Sequence, residues 1–122
     1  MRILVVGGAG YIGSHAVRSL LKAGHEVRVF DNLVYGHPEA VPAGLLLEGD
    51  LSDREALVAA LKAQETEAVM HFAAYASVPE SVADPARYYR NNLIGSLNLL
   101  DAMRSVDVWR MVFSSTCAVY GE

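Results

Sequence analysis

Short apolar runs alternate along the chain with stretches in which apolar residues recur every three or four positions. A short apolar run bounded by turn signals is typical of a buried strand. Five such runs predict strands, namely Arg2–Val6, Glu26–Phe30, Leu45–Leu47, Ala68–Phe72 and Met111–Ser114. The first run is apolar on both faces, which indicates a central strand of a parallel sheet.

Three stretches between these runs predict helices. The first is Ile12–Ala23, where apolar residues fall at helical spacing. The second begins at Ser52, and we expect Ser52 and Glu55 to form a capping box. The third begins at Asp84-Pro85, where aspartate caps the helix and proline occupies the first helical position.

Alternating strands and helices predict an α/β fold, a doubly wound parallel sheet of the Rossmann type. Right-handed crossovers and a strand order of 3-2-1-4-5 place the first helix on one face and the other two on the opposite face. The connection from Asn32 to Gly44 shows no helical pattern, so the first helix covers its face alone.

The predicted sheet is incomplete at its fifth strand, which is left as a bare edge. A parallel sheet normally has both faces covered and its edges protected. We therefore expect a fold truncated after about five strands. Such a chain is the N-terminal piece of a larger protein, or it associates with something else.

Composition and charge narrow the function classes. The 122 residues are 52% hydrophobic and 20% charged, which suits one globular domain and argues against disorder. The net charge of −4 and the absence of a basic run argue against nucleic-acid binding. No apolar run is long enough for a membrane span, and the N-terminal run is too short for a signal peptide. A single cysteine, Cys117, favours a reducing, cytoplasmic compartment.

The strongest candidate site is the glycine-rich turn between the first strand and the first helix. It reads Gly-Gly-Ala-Gly-Tyr-Ile-Gly, with Gly7, Gly10 and Gly13 spaced as Gly-x-x-Gly-x-x-Gly. Glycine permits the tight turn and lets a pyrophosphate approach bare backbone, and the helix N-terminus offers free amides. This placement predicts a dinucleotide-binding domain over residues 1–122. The alternative is a glycine-rich turn without a ligand.

Asp31 follows the second strand and lies 18 residues after Gly13. A carboxylate there can accept hydrogen bonds from both hydroxyls of an adenosine ribose. It would repel a 2′-phosphate, and the next residues, Asn32-Leu33, bring no arginine to neutralise one. The pattern favours NAD over NADP. The alternative is an aspartate that only shapes a turn.

Other candidates follow the carboxyl ends of later strands, where ligands of such sheets bind. Asp50 could bond an adenine amino group with Leu51 against the ring, or could simply shape the turn before Ser52. Phe72, Ala73 and Ala74 let backbone pass close to a cofactor. We interpret His71 as structural, because it lies within an apolar strand.

Two polar clusters leave functional and structural alternatives open. Asn91 and Asn92, with Gly95 after them, indicate either a helix face close to a ligand or to backbone, or a solvated side. Ser114-Ser115-Thr116 ends the fifth strand, so a hydroxyl there could meet a substrate or cap the strand. The remaining histidines have no ligand-like spacing, and no metal site is predicted.

Taken together, these motifs resemble the extended short-chain dehydrogenase/reductase family over the whole chain. The resemblance is closest to its sugar-nucleotide epimerases. It rests on the glycine motif and on the segments Asp31-Asn32-Leu33, Gly49-Asp50-Leu51, His71-Phe72-Ala73-Ala74, Tyr88-Tyr89-Arg90-Asn91-Asn92, and Phe113-Ser114-Ser115-Thr116 with Val119-Tyr120-Gly121. Sugar-nucleotide dehydratases of this family usually carry Thr-Asp-Glu where this chain has Ser-Ser-Thr.

The resemblance implies a set of cofactor contacts and one residue of the reaction. NAD would contact Gly7, Gly10, Tyr11, Ile12, Gly13, the segment Asp31–Gly36 (with Asn32, Leu33 and Gly36), Asp50, Leu51, Phe72, Ala73, Ala74, Ala76 and Asn91. Thr116 matches the hydroxyl that assists the family's catalytic tyrosine. Bound NAD would oxidise a UDP-hexose transiently at C4, and the keto sugar would rotate and be reduced on its other face. We also expect a homodimer, because the bare fifth strand favours association, either edge to edge or through the helix that begins at Asp84.

Two departures from the family pattern limit what the chain does alone. Many members carry a lysine at the position of Ala76, so that contact is weakened or supplied differently. The family's Tyr-x-x-x-Lys motif should follow Thr116, and it is missing here; Tyr88 has Asn92 four residues on. We expect the isolated chain to be inactive. The alternatives are another NAD-dependent decarboxylase, reductase or dehydratase of sugar nucleotides, and a non-catalytic NAD-binding module.

Overall fold

A computed structural model describes residues 1–121, apart from the side chains of Cys117 and Ala118. It contains one parallel sheet with the strand order β3-β2-β1-β4-β5, as the sequence predicts. The strands are β1 (Arg2–Val6), β2 (Glu26–Asp31), β3 (Leu46–Glu48), β4 (Ala68–His71) and β5 (Met111–Phe113).

Helices and shorter helical turns lie between and after the strands. They are α1 (Tyr11–Lys22), α2 (Arg54–Ala63), α3 (Val78–Ala83), α4 (Pro85–Tyr88) and α5 (Gly95–Ser105), with a π-helical turn (Tyr89–Ile94) joining α4 to α5 and 3₁₀ turns at Pro38–Ala40 and Cys117–Tyr120. None of the helices described here is long and apolar enough to span a bilayer.

The central strand β1 organises the core. Its last four residues are buried, and it pairs with β2 on one side and β4 on the other. Val5, for example, lies between Val29 and Met70 in the register. Because parallel strands end at the same edge of the sheet, the turns that follow β1, β2 and β4 lie beside one another.

Two apolar layers cover the two faces of the sheet. On one face, Leu57 of α2 and Leu99 of α5 pack in the same cluster as Leu4 and Val69. On the other face, Val17 of α1 packs in the cluster that includes Val5. The predicted assignment of helices to faces is therefore confirmed, and among the described residues α1 is the one α-helix that contributes to the second cluster.

The predicted capping box of α2 is wrong. The N-cap is Asp53, whose Oδ1 accepts a hydrogen bond from the Ala56 amide at 2.9 Å. The Ser52 amide instead donates to Asp50 Oδ1 at 2.8 Å. The Asp50 side chain thus closes a turn by accepting from the Ser52 amide, and α2 begins one residue later than predicted.

Helix α3 was not predicted, although its local signals are present. Ser77 caps it by accepting a hydrogen bond from the Glu80 amide, and proline lies in its first turn. It has only six residues, none of them buried, so it carries no apolar stripe for a periodicity argument to detect.

The edge strand β5 is as bare as the sequence predicts. Val112 and Phe113 are 56% and 57% exposed, and Trp109 just before the strand is 69% exposed. One side of β5 pairs with β4, and in the described part of the chain no strand pairs with the other. Such an edge is a template for further pairing.

The corrected cap of α2 gives a direct test. Replacing Asp53 with alanine should lower the free energy of unfolding by about 1 kcal/mol, because the Ala56 amide loses its acceptor. The control, Ser52→Ala, should change it by less than about half of that, since Ser52 caps nothing in α2. Urea unfolding followed by circular dichroism measures both. A larger loss of stability in Ser52→Ala than in Asp53→Ala would instead support the predicted capping box of Ser52 and Glu55.

Candidate functional site

A cleft opens at the carboxyl ends of β1, β2 and β4. The first turn after β1, the loop after β2 and the loop after β4 form its walls, and the π-helical turn closes one side. The residues that line it are Val6, Gly7, Gly10, Phe30, Asp31, Asn32, Tyr35, Gly36, Gly49, Leu51, Phe72, Ala73, Ala74, Tyr75 and Asn91.

Most residues that the sequence predicts for a cofactor site lie together in this cleft. The structure places there Gly7, Gly10, Asp31, Asn32, Gly36, Leu51, Phe72, Ala73, Ala74 and Asn91. Other predicted residues lie just outside its lining. Tyr11, Ile12 and Gly13 form the first turn of α1, Leu33 follows Asn32, and Asp50 adjoins Leu51.

Two glycines of the motif are required by the protein's own packing. Gly7 has a positive φ of 80°, and a Cβ there would lie 2.5 Å from the Ala73 amide nitrogen. A Cβ on Gly13 would lie 2.1 Å from the Gly7 carbonyl oxygen. Any side chain at either position would push apart the backbone segments that form the cleft.

Gly10 differs, because the protein leaves room for a side chain there. Its φ is −78°, and the nearest atom to a Cβ would be the Gly7 oxygen at 3.5 Å. Gly10 lines the cleft as the N-cap of α1, whose first turn carries no acidic side chain. The open space and the unpaired first-turn amides form a cradle suited to an anion close to the backbone.

Asp31 holds a fixed carboxylate on the other side of the cleft. It is 8% exposed, and its two oxygens accept hydrogen bonds from the amides of Ala9 and Leu33, each at 2.9 Å. A Cβ on Gly36 would lie 2.7 Å from Asp31 Oδ1, so the loop packs closely over it. No arginine or lysine pairs with this carboxylate among residues 1–121, and that favours a hydroxyl over a phosphate as its ligand.

Asp50 is engaged by the protein rather than turned into the cleft. Asn32 Nδ2 donates to Asp50 Oδ2 at 2.7 Å, and this hydrogen bond holds the pKa of Asp50 below its usual value. Its other oxygen accepts the Ser52 amide. Together with Leu51 it lines a shallow depression that continues from the cleft toward Arg87 and Arg90.

An aromatic cluster that the sequence did not predict stands at one side of the cleft. The Tyr75 ring meets Tyr35 edge to face at 5.3 Å and Tyr88 at 5.7 Å between centroids, and the Arg87 guanidinium lies 4.7 Å from its centre. Glu80 accepts hydrogen bonds from Arg87 and from the Tyr88 hydroxyl. The one available signal for Tyr75 was its position directly after Ala73-Ala74.

Tyr88 is not poised as a base. Its removal from water and its hydrogen bond to Glu80 both raise its pKa above the usual value of a tyrosine. The Tyr88 hydroxyl is already shared between Glu80 and the amide of Ser77, which donates to it at 3.1 Å. It therefore serves to hold α3 against α4.

His71 lies behind the cleft, in the position that the structural interpretation predicts. It is 2% exposed, and burial lowers its pKa to about 4, so the imidazole is neutral near pH 7. Its Nε2 is 2.9 Å from Ser96 Oγ, and its ring meets Phe113 edge to face. The side chain is thus part of the packing between β4, β5 and α5.

The two asparagines have different surroundings. Asn91 lines the cleft. The Asn92 side chain forms two hydrogen bonds to the backbone of Tyr75, accepting from its amide and donating to its carbonyl, each at 2.9 Å. A Cβ on Gly95 would lie 2.9 Å from Leu51 Cβ. The segment therefore packs closely against neighbours, and the solvated-side alternative is not what the structure shows.

Two predicted residues lie away from the cleft lining. Ala76 is exposed on the loop after Tyr75. Thr116 is exposed beyond the end of β5. Among the residues that the structure describes, no group of three histidine, cysteine or acidic side chains is arranged to hold a metal ion.

Comparison with known proteins identifies the family. The model of the NAD dependent epimerase/dehydratase family matches residues 3–122. The chain belongs to this family. Its similar relatives include the UDP-glucose 4-epimerase of Lactobacillus helveticus, 51% identical over 122 residues, which cover 99% of this chain and 37% of the relative. The UDP-glucose 4-epimerase of Rhizobium meliloti is 51% identical over 119 residues, which cover 98% of this chain and 36% of that protein.

Solved structures of such epimerases share the fold described above. The UDP-glucose 4-epimerase of Brucella ovis in complex with NAD superposes with a TM-score of 0.93 at 50% identity, covering 99% of this chain and 37% of that one. The Thermus thermophilus enzyme, also in complex with NAD, gives a TM-score of 0.92 at 49% identity, covering 95% of this chain and 38% of that one. The chain thus spans little more than a third of the length of these epimerase/dehydratase family members.

The cleft of this family member fits a dinucleotide by its own geometry. The protein's own packing does not explain why position 10 is glycine, because the space beside it is open and a side chain would fit there. A pyrophosphate against the first turn of α1 would use that space, and the fixed carboxylate of Asp31 suits a ribose diol.

Proposed function

We propose that this chain is the NAD-binding, N-terminal part of a UDP-glucose/UDP-galactose 4-epimerase. The observation that carries the proposal is the open cradle at Gly10, which lies at the start of α1 in the same cleft as the Asp31 carboxylate. Relatives of that name are about half identical in sequence over nearly the whole chain. In keeping with the single cysteine, we place the protein in the cytoplasm.

Each part of the cleft has a role in this proposal. The backbone of Gly10, Tyr11 and Ile12 would hold the pyrophosphate against the partial positive charge of the helix N-terminus. Asp31 would accept hydrogen bonds from the adenosine ribose, and its negative charge would disfavour the 2′-phosphate of NADP. Leu51 and Asn91 would border the adenine.

The loop after β4 would carry the nicotinamide half. Ala73 and Ala74 have small side chains, so backbone can approach the cofactor along this wall. When bound, NAD supplies a hydride acceptor that can return the hydride to the same carbon. Many family members have lysine at the position of Ala76, whose exposed side chain carries no charge. We propose that other residues of the loop after β4 contact the cofactor in its place.

The chemistry on the sugar would need groups outside this segment. No tyrosine in the chain is followed four residues later by lysine. Thr116, beyond β5, would donate or accept a hydrogen bond at the hydroxyl of such a tyrosine and so assist proton transfer at the sugar C4 hydroxyl. Within the chain itself, the proposed activity is cofactor binding.

A second candidate function is a non-catalytic NAD-binding module, because the cleft described above accounts for cofactor binding and not for chemistry on a sugar. Other NAD-dependent enzymes of sugar nucleotides, such as decarboxylases, reductases and dehydratases, are further candidates. The Ser-Ser-Thr segment favours an epimerase over a dehydratase, on the resemblance described above.

Calorimetric titration of the 122-residue chain with NAD⁺ tests the cofactor proposal. We expect saturable binding and no turnover of UDP-galactose. Gly10→Ala should stay folded, because a Cβ has room there, yet weaken binding by about tenfold or more by occupying the pyrophosphate cradle. Asp31→Asn should also weaken binding by about tenfold, since the ribose loses a charged acceptor and the asparagine nitrogen cannot accept from the Ala9 or Leu33 amide that it faces.

The matched control for the carboxylate is Asp53→Asn, which makes the same change at the cap of α2, away from the cleft. Its affinity for NAD⁺ should equal that of the wild type. A folded wild-type chain without measurable NAD⁺ binding would contradict the cofactor proposal. Equal affinity in Gly10→Ala would contradict the location of the pyrophosphate.

The epimerase proposal is tested on the longer protein that it requires. With bound NAD, that protein should interconvert UDP-galactose and UDP-glucose without net formation of NADH. Thr116→Val should lower kcat by about a hundredfold, because it removes the hydroxyl that assists proton transfer, while leaving NAD binding unchanged. Thr116→Ser is the control that keeps the hydroxyl. Release of a 4-keto sugar would instead identify a dehydratase.

We further propose that the chain pairs with a second copy through the outer side of the π-helical turn and α5. Tyr89, Leu93, Leu97 and Leu100 recur there every three or four residues and are 46–66% exposed. We call these four residues the outer stripe. The opposite side of α5 already packs on the sheet through Leu99, so this helix has two apolar faces. A stripe of this kind suits a two-fold contact with itself.

Light scattering of the chain during size-exclusion chromatography tests this pairing. The wild type should run as a dimer, and Leu93→Glu with Leu97→Glu should run as a monomer, because both charges would be buried at the contact. Val112→Glu, which puts the same charge on the bare edge of β5, is the control and should stay dimeric. Dissociation by Val112→Glu alone would show that the sheet edges pair instead.

A further inference from the structure

The buried imidazole of His71 has a fixed hydrogen-bonding role that the cofactor proposal does not use. Ser96 Oγ donates to the Asn92 carbonyl at 2.6 Å and lies 2.9 Å from His71 Nε2. A hydroxyl has a single proton, and here it is given to Asn92. The Nε2 atom must therefore carry its own proton and donate it to Ser96, so this hydrogen-bond network assigns the tautomer.

The other ring nitrogen makes histidine an unfavourable choice for packing alone. In the described part of the chain, His71 Nδ1 is buried without a hydrogen-bond partner. An acceptor left in this state loses its hydrogen bond to water and gains nothing in return. An apolar side chain of similar shape would avoid that loss. Ser96 would still have the Asn92 carbonyl as its acceptor.

The hydrogen bond from His71 leads into the π-helical turn. A π-helical turn is rare and interrupts the regular hydrogen bonding of a helix. Asn92 lies within this turn, and its carbonyl is the group that Ser96 supports. The side chain of the same residue holds the amide and the carbonyl of Tyr75, and it also accepts a hydrogen bond from Asn91 Nδ2 at 2.9 Å.

These contacts form a closed path around one wall of the cleft. His71 is the last residue of β4, and the wall that follows runs from Phe72 to Tyr75. The strand fixes the first end of that wall, and Asn92 fixes the other end. The imidazole connects the two ends through Ser96, across the interface between the sheet and α5.

We infer that His71 is a positioning residue: through Ser96 it holds the π-helical turn in the place where Asn92 fixes the wall Phe72–Tyr75 and Asn91 faces the cleft. His71 is not among the residues that line the cleft. Its effect on NAD rests on the proposed function, whereas its effect on the wall does not. The role is retained by any side chain that donates a hydrogen bond from the position of Nε2.

The experiment compares His71→Leu with His71→Gln in the 122-residue chain, first without ligand. Amide hydrogen exchange is measured at Tyr75, whose amide bonds to Asn92, and is divided by the exchange at Val5 in the central strand. His71→Leu should raise this ratio by about tenfold without lowering the urea midpoint. His71→Gln, whose side-chain amide can donate to Ser96, should keep the ratio within about threefold of the wild type.

Affinity for NAD⁺ should follow the same order, with His71→Leu about tenfold weaker and His71→Gln close to the wild type. Ser96→Ala removes the intermediate hydroxyl, keeps His71, and should behave like His71→Leu. Val69→Ala, on the same strand and in the core cluster that includes Leu99 of α5, is the stability control. It should lower the urea midpoint with little change in the exchange ratio or the affinity.

An unchanged exchange ratio at Tyr75 in both His71→Leu and Ser96→Ala would overturn the inference. So would a His71→Gln variant that behaves like His71→Leu. If the wild-type chain fails to bind NAD⁺, the proposed function is contradicted. The exchange ratio at Tyr75 still decides the role of His71 in that case, because it is measured without the cofactor.

Discussion

The close approach of three backbone segments at Gly7 is the constraint on which the cleft depends. The end of β1, the start of α1 and the loop after β4 meet there with no side chain between them. Because Gly13 packs on the Gly7 carbonyl and Gly7 packs on Ala73, the helix N-terminus and the opposite wall are held at a fixed separation. The rest of the cleft is tied to these segments, because Asp31 accepts a hydrogen bond from the Ala9 amide and Asn92 accepts one from the Tyr75 amide.

The architecture could be read from the sequence because its signals are local and repeated. Five apolar runs with helical stretches between them specify a parallel sheet, and for the order 3-2-1-4-5 the handedness of the crossovers then fixes the face that each helix covers. The glycine motif and Asp31 were found for the same reason, since each is tied to the end of a predicted strand. What decided these predictions was context: a strand before Gly7 and a helix after Gly13.

The errors and omissions arise where a residue's partner is distant or where local candidates compete. Ser52 and Asp53 both have capping side chains, and Asp50 settles the choice by engaging the Ser52 amide. The local sequence does not indicate which of these three residues caps the helix. Tyr75 was missed because its place depends on Asn92, 17 residues later, and on a π-helical turn that has no recognisable periodicity. A hydrogen bond between residues this far apart in sequence can be identified only in the folded structure.

The contrast among the motif's glycines has an evolutionary consequence. Selection for a folded chain acts on Gly7 and Gly13, where any side chain would separate packed backbone. Under the proposed function, selection for a bound ligand would act on Gly10, where the protein itself tolerates a methyl group. A lineage that abandoned the cofactor would therefore drift first at Gly10 while retaining its two neighbours in the motif. The residue at position 10 would then indicate whether a descendant protein still binds a ligand in its cleft. The fold would not indicate this, because it needs only Gly7 and Gly13.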